Sequence, residues 1–191
     1  MHRLAEDPAR RSSRVLRGGV KVSVVHADAV TGKLTPAEEL ACAQLGGRRR
    51  DEWALGRRAA RALVGDASVL VAPDGAPIVD GQHVSISHDG GWIAVAVDAR
   101  PVGIDLCRRA HAPRIARILA WLGVASDAEP VVAWAALEAV LKLRRRSIIE
   151  LRDCALAVSS EADSVLVRGL GESVRVTVCG APAYVVATCG S

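Results

Sequence analysis

The chain has no phenylalanine, one tyrosine and one methionine, and four tryptophans bring its aromatic content only to 3%. Val, Ala, Leu and Ile must therefore build any core, and little is left from which to make a base-stacking platform. Lysine is nearly absent as well. Lys21, Lys33 and Lys142 are the only three, which leaves 22 of the 25 basic residues as arginine. Apolar runs such as Ile93–Val97 fall far short of the ~20 residues that span a bilayer. Met1–Arg17 is polar and Arg-rich, so no charged-then-apolar leader is expected. The five cysteines are an odd number without CxxC spacing, against a disulfide framework or a zinc knuckle. No Gly-rich strand-to-helix turn of the P-loop or dinucleotide type occurs. These absences leave a soluble, cytoplasmic, monomeric protein as the expectation, with no membrane partner.

With 191 residues, half of them hydrophobic, the chain suits one domain or two small halves, with no case for disorder. Residues 1–19 are Arg-rich without periodicity and read as a flexible N-terminal arm. An N-terminal half over 20–99 follows, then a C-terminal half over 100–191. Thr35-Pro36-Ala37-Glu38 reads as an N-cap, Pro at N1 and a capping glutamate, opening a helix to about Leu45. A second helix is expected from about Arg49 to Val64, and strands at Val20–Val25, Val69–Ala72, Val84–Ser87, Trp92–Val97 and Val102–Cys107. The second half reads as helices over Ala112–Leu122 and Glu129–Arg144, then a small antiparallel sheet from Cys154 to Thr188. The class is α+β.

Four local features carry polar chemistry. In Val84-Ser85-Ile86-Ser87-His88, the two serines share a strand face opposite Ile86; that face is either a functional one or the solvent side of an edge strand. In Gly103-Ile104-Asp105-Leu106-Cys107, an aspartate inside a strand needs a reason. A buried carboxylate either pairs with an arginine, here Arg108 or Arg109, or ligates a cation. Trp134, Glu138 and Lys142 stand at i, i+4 and i+8, so one helix stripe carries either an ordinary Glu–Lys pair or a partly buried polar one. Arg48–Arg50 with Gly56-Arg57-Arg58 is a solvated face or a grip for phosphate.

Taken in order, the Arg-rich helix, Gly75-Ala76-Pro77, Ser85-Ile86-Ser87-His88, Gly103-Ile104-Asp105 and Trp134–Lys142 resemble the 4′-phosphopantetheinyl transferases of the Sfp type, over roughly Val20 to Val158. The resemblance implies a pseudo-dimer of two similar α+β halves joined near Asp98–Pro101, with coenzyme A in the cleft between them. It implies a Mg²⁺-dependent holo-[acyl-carrier-protein] synthase, which moves the phosphopantetheine arm of coenzyme A onto a serine of an acyl or peptidyl carrier protein and releases 3′,5′-ADP. Such phosphoryl transfer asks the protein for positioning and charge neutralisation. By the same resemblance Asp105 and Glu138 hold the metal, and Glu138 is the base for the serine proton. Lys142 faces the pyrophosphate, while His88 with Ser87 binds a phosphate. Arginines among Arg48, Arg49, Arg50 and Arg57 hold the 3′-phosphate, and Gly75 and Pro77 lie against the adenine.

The chain departs from the family pattern in three places. Cys107 stands where a second carboxylate is usual, and a thiol suits hard Mg²⁺ poorly. If Cys107 shares the metal-facing side of the strand with Asp105, a ligand is missing; otherwise it is a small buried hydrophobe. Leu137 replaces a common lysine, and Leu143-Arg144-Arg145-Arg146 replaces a Gly-containing turn. Two rivals therefore accompany the transferase reading. One is a non-catalytic relative that binds coenzyme A or a carrier protein. The other is a basic nucleic-acid-binding domain, motivated by the arginines but lacking any recognised module.

Overall fold

The structure is a computed structural model that describes residues 2–3, 12–15, 19–65 and 67–190. Its elements begin with β1 (His2–Arg3), β2 (Ser12–Val15), β3 (Lys21–His26), α1 (Pro36–Ala43) and α2 (Gly47–Val64). Then come β4 (Leu70–Val71), β5 (Pro77–Val79), β6 (Gln82–Asp89), β7 (Trp92–Asp98), β8 (Val102–Arg108) and α3 (Ala112–Trp121). The remainder is β9 (Ala125–Ser126), α4 (Pro130–Arg144), β10 (Ala157–Ser160), β11 (Ser164–Arg168), β12 (Val174–Gly180) and β13 (Tyr184–Gly190). The class is mixed α+β, with two sheets and four α-helices among the described residues. β1 and β2 fall inside the stretch read as an arm; apart from Gly19, its other residues lie outside the described ones. No helix among the described residues is long and apolar enough to cross a membrane.

The fold divides into two compact units: an N-terminal one that runs to Val102, and a C-terminal one over Gly103–Cys189 that also takes in β1. In the N-terminal unit the sheet order is β2-β3-β7-β6-β5-β4. Asp89 pairs with Trp92 across a two-residue Gly90-Gly91 turn in which both φ values are positive, the backbone that tight hairpins require. The capping box opens α1 as its sequence implies: Thr35 Oγ1 accepts from Glu38 N, and Glu38 Oε2 accepts from Thr35 N at 2.8 Å. α2 lays Ala59 and Ala60 on a core that includes Val25, Val84, Ile93 and Val95.

In the C-terminal unit the order is β8-β13-β12-β11-β10-β9, with β1 parallel to β12. Here α4 is the central element. Val131, Ala133, Ala135, Ala136, Leu137, Ala139 and Val140 are fully buried, packed with Ile115 and Leu119 of α3 and with valines of β10 to β12. Small side chains let a helix sit close to its neighbours, and Trp134 of α4 packs at the margin of the same core.

α4 ends without glycine. Arg145 adopts the left-handed conformation (φ 53°, ψ 40°), while Arg146 N donates to Leu141 O at 2.9 Å and Arg145 N to Lys142 O at 3.2 Å. This is a Schellman closure with an L-residue at the position that favours glycine. Arg145→Gly is expected to stabilise the chain by about 0.5–1 kcal/mol, read as a higher urea midpoint at unchanged slope.

Candidate functional site

The Gly-Ile-Asp and Trp-to-Lys features meet inside the C-terminal unit, although 37 residues separate their charged ends in sequence. Gly103 makes this possible. A Cβ there would run into the Ala139 carbonyl oxygen and stand 2.8 Å from Leu143 N, so only glycine lets β8 approach α4 this closely. Two residues on, buried Asp105 accepts from Lys142 Nζ at 2.7 Å, and the same ammonium donates to Ile104 O at 3.1 Å. A partner of the acid thus comes from α4, whereas the sequence suggests its neighbours Arg108 or Arg109. Arg108 faces His111 Nε2 at 3.3 Å, and Arg109 pairs with Glu129.

Glu138 sits one turn before Lys142 and is half-buried. Burial raises its carboxyl above the ordinary value, the charge of Asp105 raises it further, and Lys142 opposes both. Two carboxyl groups thus share one field with a single ammonium. Such a pair offers the hard oxygen donors that Mg²⁺ takes when phosphates and water complete its shell. Among the described residues no group of three or more His, Cys, Asp or Glu is placed to hold a metal.

Cys107 is 4% exposed and belongs to the core cluster with Ile115 and Leu119. Leu137 is likewise fully buried. Cys107 therefore acts as a small hydrophobe. Cys107→Glu is expected to cost about 3 kcal/mol or more through an uncompensated buried charge. Cys107→Ala should cost only ~1 kcal/mol, and urea melts of the two variants check the contrast.

In the N-terminal unit β6 lies between β5 and β7, so it is not an edge strand. Ser85 and Ser87 are 5% and 7% exposed, which rules out a solvent face for them. Ile86 packs towards α2, its Cγ2 lying 3.1 Å from where a Gly56 Cβ would be. His88 is exposed at the end of β6 and shares a pocket with Arg48, Glu52, Gly90, Gly91 and Trp92. Glu52 and Trp92 are not among the sequence candidates; the i, i+4 spacing from Arg48 signals the first, and nothing local signals the second.

The arginines differ in what already holds them. Arg48 Nε donates to Glu52 Oε1 at 2.6 Å, and Arg49 is exposed. Arg50 Nε donates to Leu45 O at 2.8 Å and its Nη2 reaches Ala43 O, so it closes the end of α1. Arg57 is buried. Gly75 (φ 86°) closes a turn by donating from its N to Ala72 O at 2.8 Å, and Pro77 opens β5 immediately after. No protein-family model matches the chain, and no curated protein matches it.

Proposed function

We propose that the chain is a 4′-phosphopantetheinyl transferase, acting on coenzyme A and on a serine of an acyl or peptidyl carrier protein. The observation that carries this reading is the meeting of Asp105, Lys142 and Glu138 in one unit. Two motifs distant in sequence converge there on one charge cluster. The unit topologies support it too. In each, a strand leads into two helices, separated in the C-terminal unit by the short β9, and then into strands that return so that the last lies beside the first, β3 next to β7 and β8 next to β13. That repetition is what a pseudo-dimer of similar halves would have.

Asp105 and Glu138 are the residues that would hold Mg²⁺, which when bound offsets pyrophosphate charge. The carrier serine Oγ forms a bond to the phosphorus bearing the pantetheine arm. The bond from that phosphorus to the bridging oxygen breaks, and 3′,5′-ADP leaves with the electron pair. Glu138, its carboxyl raised by burial and by Asp105, is suited to take the serine proton. Lys142 turns its ammonium to the pyrophosphate. His88 and Ser87, with the α2 arginines, are the phosphate-contacting candidates of the N-terminal unit, and Gly75 and Pro77 those for the adenine.

The test is mass spectrometry of an apo carrier protein incubated with the chain, coenzyme A and Mg²⁺. A gain of one phosphopantetheine on the carrier, dependent on all three, is the expected result. A panel of fatty-acid, polyketide and peptide carriers that all stayed unmodified would overturn it. The burial of Cys107, with no metal-holding group of three such side chains among the described residues, favours a second reading, a relative that binds without transferring. Calorimetric binding of coenzyme A without modification of any carrier would select that reading.

A further inference from the structure

α2 and the segment after β3 form a cleft of about 240 Å³ that the proposed reaction does not use. Its lining joins two kinds of surface. Val25 and Ala59, each 2% exposed, belong to the core of the N-terminal unit, and Val30 packs against that core. Thr31, Arg58 and Arg61 bring polar groups, and no acid lines the cleft among the described residues. Arg61 gives its Nη2 to buried Glu38, while its Nε is sealed from solvent without a hydrogen-bond partner. Arg58 is half-buried, and its one bond among the described residues runs from Nε to Ala54 O at 3.4 Å. The residues three and four away from it on α2 are Ala54, Leu55, Arg61 and Ala62, so the helix offers it no acid. Glu38 thus answers Arg61, and the charge of Arg58 is left over.

A half-buried cation beside an apolar floor favours an anion, and the floor limits which one. A phosphate is hydrated on every side and would lose that water against Val25, Val30 and Ala59. A carboxylate on an aliphatic chain divides its chemistry as the cleft does. Its two oxygens match a guanidinium fork, and its methylenes match the valines. One surplus positive charge suits a monoanion. The volume lies below that of pockets which take drug-sized molecules, so the chain must be short. We propose that this cleft binds a short-chain aliphatic carboxylate, with Arg58 reading the carboxylate and Val25, Val30 and Ala59 the chain. The cleft shares no lining residue with the pocket beside His88, so the proposal stands apart from the coenzyme A reading.

The test is NMR titration of the isotope-labelled full chain with sodium acetate, butyrate and hexanoate, and with hexanol and inorganic phosphate. Hexanoate should shift the amides of Val30, Thr31 and Ala62. It should bind about tenfold or more tightly than acetate, because each buried methylene adds roughly a fourfold gain. Hexanol keeps the chain but lacks the charge, and should bind about tenfold or more weakly than hexanoate. Arg58→Gln should remove that difference. Arg58→Lys, which keeps the charge but not the fork, should reduce it and serves if the glutamine variant does not fold. Hexanoate affinity unchanged in a folded Arg58 variant would overturn the role of Arg58. Equal affinity for hexanol and hexanoate, or amide shifts from phosphate as strong as those from hexanoate, would overturn the ligand class. No shift at these amides with hexanoate on the order of 10 mM would overturn the site. Each of these results leaves the coenzyme A reading standing, since carrier modification is measured separately.

Discussion

Glu138→Gln is expected to abolish transfer and, in the same protein, to raise the melting temperature of the metal-free chain. The two effects have one cause. Burial and the charge of Asp105 hold the Glu138 carboxyl above its ordinary 4.5. A group raised on folding contributes stability that is complete below its unfolded value and is lost as pH rises through the folded one. At neutral pH the ionised Glu138 is therefore a cost to the fold, and a neutral amide of the same shape removes it. The gain is read as a higher melting temperature at neutral pH. It should shrink as pH falls towards 4.5. On the proposed transferase reading, transfer should drop by ~10²-fold or more, because the metal would lose a carboxylate and the serine its base. Asp105→Asn should abolish transfer with the opposite effect on stability. It strips Lys142 Nζ of the acid 2.7 Å away, and with Lys142 partly open to solvent the loss should be about 1–3 kcal/mol. Melts and transfer assays on the two variants check the pair. Residual transfer within threefold of the parent in either would remove that residue from the site.

Much of the local structure was legible because its causes are local. Thr35 to Glu38 spells a capping box, and the box forms. What Glu38 does beyond its own turn was not legible. It is fully buried because its other oxygen accepts from Val69 N at 2.8 Å and because Arg61 pairs with it, contacts that only the folded chain brings together. The serines of β6 make the same point in another way. Alternation places Ser85 and Ser87 on one face, but whether that face meets water depends on the strand's place in the sheet, which non-local pairing decides. Asp105 is the sharpest case. Proximity in sequence suggests Arg108 or Arg109, three and four residues on, yet the ammonium paired with Asp105 comes from α4, 37 residues away. Cys107 shares the alternation of Asp105 but ends in the core, because α3 and α4 cover that part of β8. The order of the motifs carried more about the site than any single residue in them did.

Gly103→Ala is expected to be among the most damaging single substitutions in the C-terminal unit, although it adds one methyl group. The added carbon would overlap the Ala139 carbonyl and press on Leu143 N, both backbone atoms of α4. Backbone of a helix cannot rotate away as a side chain can. Relief requires β8 and α4 to separate, and α4 is packed on all its buried positions against α3 and the sheet. Overpacking of this kind costs about 3 kcal/mol or more where no flexible neighbour yields. The displacement also reaches function. Asp105 lies two residues from Gly103 on the same strand face, and its bond to Lys142 spans the very gap that would widen. Below its lowered melting temperature the variant should therefore stay folded yet transfer at least tenfold more slowly, a loss of about 1.4 kcal/mol of transition-state stabilisation. Circular dichroism melts and transfer rates measured well below the transition separate the two effects. A variant with a parental melting temperature would show that β8 and α4 do not approach as closely as the Gly103 contact requires. One that melted early but transferred at the parental rate would show that the Asp105–Lys142 spacing does not limit the chemistry.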